Sequence, residues 1–87
     1  MSKAKSLIDD LLKLNRQPES LESKLLSAEP LIAKYLVPFG SDRQSQHSAL
    51  DELDTELHKA VAQNPDAAVF LSKILKFIAL QKLCLED

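Results

Sequence analysis

Four side chains in the middle of the chain have types and spacing that could do chemistry. His47, Asp51, Asp54 and His58 follow one another at intervals of four, three and four residues. On a helix, residues one turn apart point the same way, so a histidine and a carboxylate at that spacing can share a divalent metal. The four cannot close one mononuclear site, because a 1.5 Å rise per residue puts His47 and His58 about 16 Å apart. His47 can also precede the helix that carries the others. The simpler reading is a solvated helix face with weak His47–Asp51 and Asp54–His58 pairs, and no metal site is assigned.

The remaining reactive groups are poorer candidates. Cys84 would need a base beside it to act as a nucleophile, and its ionisable neighbours in sequence are Lys82, Glu86 and Asp87, none of them such a base. A small hydrophobic residue on a helix is its expected role. The carboxylate pairs Asp9 with Asp10 and Asp51 with Glu52 are adjacent in sequence and diverge on a helix. One glycine excludes a glycine-rich phosphate loop, and no paired cysteine or histidine motif is present for structural zinc. The sequence thus assigns no catalytic residue and no cofactor, disfavours a small-molecule substrate, and leads us to expect a non-enzymatic protein.

The elements that carry these residues follow from composition. The 87 residues include 17 leucines, one glycine and no tryptophan, and are 45% hydrophobic and 5% aromatic. Such a chain is too apolar to stay disordered and too poor in aromatics and glycine for many strands and tight turns. An all-α fold is expected: one domain, a compact bundle of four to five short helices. Its small core leaves stability at a few kcal/mol, so a partner covering leftover apolar surface would aid folding as well as function.

Prolines at 18, 30, 38 and 65 punctuate the pattern. Leu7, Ile8, Leu11, Leu12 and Leu14 share one side of a helix over about residues 3–16, capped by Ser2 or by Ser6 with Asp9. Pro18 suits the first turn of the next helix. Leu21, Leu25, Ala28, Ile32, Tyr35 and Leu36 keep one face across Pro30, which leaves a single kinked helix or a break with Ser27 as a new cap. A break or sharp kink is favoured, giving helices over 18–28 and 30–37. Gly40 can take positive φ after Pro38. Residues 41–47 contain no apolar side chain and form the expected loop. Ser48 caps a helix over 48–63 with a narrow apolar stripe, and Asn64 caps a last helix over 65–85 with Pro65 at its first position.

That last helix has more apolar residues than one face can use. Phe70, Leu71, Ile74, Leu75, Phe77, Ile78 and Leu85 share a broad arc, and Val69, Leu80, Leu83 and Cys84 lie opposite, beside Ser72, Lys73 and Lys76. Gln81 and Lys82 fall on the arc that is apolar one turn earlier. A helix apolar nearly all round is either central and covered on both sides or contacted from outside. In the second case Val69, Lys73, Lys76, Leu80 and Leu83 form an apolar strip with cations, the expected partner-binding surface. The partner would be another protein, an acidic amphipathic helix for instance, or a second copy of the chain.

Charge narrows the partners further. Eleven Lys and Arg against thirteen Asp and Glu give a net charge of −2 and a pI near 5.6, so no general positive field attracts phosphate backbones. A helix-turn-helix reading of the last two helices, the runner-up, meets an acidic first helix and a second helix with three lysines and no arginine. Residues 41–64 carry five acids against two bases, and residues 1–40 five acids against six bases. One copy could therefore offer its acidic 48–63 helix to the lysines of another. No stretch approaches a bilayer span and no signal-peptide core follows Met1, so no membrane partner is expected. The single cysteine fits an intracellular setting, cytoplasmic or nuclear.

Overall fold

Leu7, Ile8 and Leu11, together with Ala4, are buried along one side of the first helix, α1 (Lys3–Asn15), as the three-and-four spacing requires. The structure, a computed structural model, describes residues 3–86. Ser2, one of the two expected caps, lies outside the described residues, and Ser6 is inside the helix and caps nothing. The other end of α1 is closed from outside: the Lys24 ammonium donates to the Asn15 carbonyl at 2.6 Å, where a cation also meets the negative end of the helix dipole.

Helix α2 (Leu21–Leu36) differs from expectation at both prolines. Pro18 sits in the turn before the helix, because Ser20 takes the cap, its hydroxyl accepting from the Ser23 backbone N–H at 3.2 Å. The predicted break between 18–28 and 30–37 is absent: α2 runs continuously through Pro30, and Ser27 is an interior residue. Pro30 removes one donor to the Leu26 carbonyl, yet both residues lie on the solvent side, where water can satisfy that carbonyl. Ala28, Ile32 and Tyr35, buried on the opposite side, hold the two halves to one surface. A single 3-10 turn (Val37–Phe39) comes next and ends at Gly40 with φ +60°. Nothing lies within 4 Å of where a Cβ would stand on Gly40, so the backbone conformation alone favours glycine there.

Helix α3 (Arg43–Gln63) is longer than the apolar pattern implied. Asp42 caps it, accepting from the Gln44 N–H at 3.2 Å and the Ser45 hydroxyl at 2.7 Å, so the expected loop over 41–47 is mostly helix and Ser48 is interior. The first turns of α3 are polar because they extend past the core. Asn64 ends α3, where its side-chain amide and its backbone N–H both donate to the Ala60 carbonyl, and its side chain caps no later helix. A 3-10 turn (Pro65–Ala67) then leads into α4 (Ala68–Glu86).

The four helices form a ring in which α1 packs on α2 and α3, and α4 packs on α2 and α3. Leu11, Leu50, Leu53, Leu57, Phe70, Leu71, Ile74 and Ile78 fill its centre, and no polar or charged residue is buried among the described residues. The Tyr35 hydroxyl is the polar group that reaches deepest, donating to the Ala49 carbonyl at 2.9 Å with its ring edge-on to Phe39. The fold is an all-α bundle, and no strand occurs among the described residues.

Candidate functional site

Membership of a four-helix ring decides the fate of α4. Such a helix touches two neighbours and the centre and turns its remaining side outward. Phe70, Leu71, Ile74 and Ile78 occupy the inner side. Val69, Leu80 and Leu83 lie on the outer side with 67%, 61% and 58% of their surfaces exposed. Lys73 and Lys76 are exposed between them, and neither forms an ion pair with a described residue. The alternative of a central, fully covered helix is therefore corrected: α4 is peripheral.

The five residues are spaced four, three, four and three apart, which is the seam of a heptad pattern. They make one strip about 21 Å long at 1.5 Å per residue. A shallow depression of about 300 Å³ lined by Ala68, Val69, Ser72, Lys73 and Lys76 marks its N-terminal half. On the α2 side, Lys73 also edges a groove of about 210 Å³ whose walls include Leu25, Ile32 and Phe77. Both are mainly apolar; Lys73 lines both, and Glu29 lines the second. Leu26 and Val37, 68% and 73% exposed, are further apolar residues on the outside. The sequence carries a signal for Leu26, which falls off the face shared by Leu21, Leu25, Ala28 and Ile32.

The histidine and aspartate face of α3 is solvent-facing and carries the expected pairs, and α4 adds to them. Lys82 reaches across from α4, its ammonium 2.7 Å from Asp51 Oδ1 and 4.0 Å from Asp54 Oδ2. His47 stands between Asp51, at 3.4 Å from Nδ1, and Glu86, at 3.1 Å from Nε2. The expected pairs His47–Asp51 and Asp54–His58 are both present, the second at 3.8 Å, with the His58 ring also 2.9 Å from the Asp54 carbonyl. The Lys82 hydrogen bond holds the Asp51 carboxyl below its ordinary range, and Asp51 in turn holds the Lys82 ammonium above its own. The Ser45 hydroxyl lowers Asp42 in the same way. A protein cation thus lies between the two carboxylates that a metal would have to share. No group of three or more potential ligands suited to a metal occurs among the described residues.

This α3–α4 cluster is what the sequence hid most. The signal was the placement of Gln81 and Lys82 on an arc that is apolar one turn earlier, which marks the point where α4 leaves the core and meets the acids of α3. Cys84 is exposed near the end of α4. One groove, of about 260 Å³ between α1 and α2, includes Tyr35, but that hydroxyl is turned inward to Ala49. No helix among the described residues is long and apolar enough to cross a membrane. The chain matches no protein-family model, no curated protein and no solved structure.

Proposed function

We propose that this protein is a non-enzymatic protein-interaction module whose contact surface is the outer strip of α4, Val69, Lys73, Lys76, Leu80 and Leu83. One observation carries the reading: three large apolar side chains in heptad register are more than half exposed on a helix whose other side fills the core. Exposed apolar residues at both ends of one seam, with two cations between them, have the mixed apolar and charged composition of a contact surface. The same strip serves a second copy or a different protein. The nucleic-acid reading loses support here, since Lys82 is engaged by Asp51 and only two lysines of α4 are left for phosphates.

A photo-crosslinking residue in place of Leu80, used in the cells that make the protein, tests this. A discrete crosslinked product is expected from position 80 and not from position 33, where the exposed Ala33 stands on α2. Adding Leu83→Asp should abolish the product. Equal crosslinking from both positions, or none from position 80, refutes the proposal.

A further inference from the structure

Resting on that reading, the geometry points to the occupant of the strip: an acidic amphipathic helix from a different protein, with apolar residues against Val69, Leu80 and Leu83 and carboxylates against Lys73 and Lys76. The two lysines occupy the middle of the heptad seam, where their neighbours across an interface are fixed by register.

Pairing α4 of one copy on α4 of another gives no register that matches all five residues. Parallel pairing of two α4 helices sets Lys73 on Lys73 and Lys76 on Lys76. The antiparallel register that matches Val69 to Leu80 sets Lys73 against Lys76 twice. Sliding by one heptad puts each lysine against a leucine. Sliding by two brings Leu80 to Leu83 and leaves an overlap of roughly 10 residues, a smaller contact than a stable dimer requires. The acids of α3 are no substitute. Asp51 and Asp54 face Lys82, and Glu56 pairs with Lys59 at 3.5 Å, so of the acids on the helix of another copy only the exposed Glu52 stands outside these pairs, one carboxylate for two lysines.

A carboxylate-bearing helix removes each of these conflicts. Lys73 and Lys76, which have no ion-pair partner among the described residues, gain one each. Their aliphatic stems stay on the apolar seam while the ammonium groups reach outward to the carboxylates. The groove beside Phe77, Leu25 and Ile32 accepts an apolar side chain from the partner on the Lys73 side.

The experiment uses the whole chain and two synthetic amphipathic peptides of about 20 residues, long enough to cover the strip. One carries Leu at the three apolar seam positions and Glu at the two central ones. The other carries Lys in place of Glu. Fluorescence anisotropy is read at low and high salt, with sedimentation of the chain alone. The inference expects a monomeric chain that binds the Glu peptide about tenfold or more tightly than the Lys peptide, with binding weakened by salt. The exposed double variant Lys73→Glu/Lys76→Glu should reverse the preference while keeping the far-ultraviolet helical spectrum. Equal binding of the two peptides overturns the inference and leaves the strip as a purely apolar surface. A chain that dimerises and ignores both peptides also overturns it, but keeps the proposed function. A monomer that ignores both peptides and gives no crosslink from position 80 removes the inference and the proposed function together.

Discussion

Replacing Tyr35 by Phe should produce a variant less stable than the parent at neutral pH and at least as stable in strong alkali. Two effects oppose each other. The Tyr35 hydroxyl donates to the Ala49 carbonyl at 2.9 Å in the interior, and a net hydrogen bond of this kind is worth about 1 kcal/mol. Tyr35→Phe should cost that much at pH 7. The same burial pushes the phenol up from 10 to about 12, with the negative charge of Glu52 adding to it. Because the folded value is raised, the folded state favours the neutral phenol. This stabilisation is fully present below pH 10 and is lost as pH rises towards 12. Linkage gives a loss of about 1.4 kcal/mol by pH 11 and about 2–3 kcal/mol above pH 12. Phenylalanine cannot ionise and has no such loss. The two stability curves should therefore meet near pH 11, with the variant the more stable beyond that point. Lysine deprotonation in the same range, including that of Lys82, is common to both proteins and cancels in the difference. Urea unfolding followed by circular dichroism at pH 7, 9, 10.5 and 11.5 measures it. Parallel curves for parent and variant across pH 9–12 would refute the buried, inward-facing phenol.

Pro30→Ala should stabilise the protein by about 2 kcal/mol, from the gain of an interior helical hydrogen bond less the stiffness that proline gives the unfolded chain. A melting temperature that is unchanged or lower would mean that α2 uses the proline for a bend. Lys82→Met should leave the fold intact, lower stability by no more than about 0.5 kcal/mol after solvent screening, and raise the Asp51 titration midpoint towards the ordinary aspartate value. Carbon-detected titration by nuclear magnetic resonance reads that midpoint, and an unmoved Asp51 would show that the Lys82 bridge does not form. In the parent, the lowered Asp51 carboxyl contributes stability above pH 4, and this is lost as acid protonates it.

The fold class was legible because it depends on the period of leucine and on composition, and both survive any rearrangement of the ends. The ends were less legible for identifiable reasons. At Pro18 and Ser20 two start signals compete within three residues, and the hydroxyl that reaches a backbone N–H prevails over the residue that merely lacks one. Residues 43–47 carry no apolar side chain, so periodicity cannot detect a helix there, although the Asp42 cap is visible in retrospect. At Pro30 the outcome turned on exposure, which a helical wheel indicates only once the buried face is fixed. The outer strip of α4 was legible residue by residue. Its status as exposed surface was not, because the number of neighbours around a helix is a property of the assembled ring. The bridge from Lys82 to Asp51 is a contact between helices: the polar turn at Gln81 and Lys82 marks where α4 leaves the core, but spacing within one helix does not name the partner.

The central claim is that the two sides of α4 do different work, the inner side holding the bundle and the outer side being surplus to folding. Urea unfolding of Leu80→Gln/Leu83→Gln tests it most directly, since glutamine keeps helix propensity and adds no charge. With both leucines more than half exposed, the double variant should unfold within about 1 kcal/mol of the parent. Ile74→Ala, on the buried side, should lose about 2–5 kcal/mol. A Gln double variant as damaged as Ile74→Ala would place the strip in the core and contradict the account.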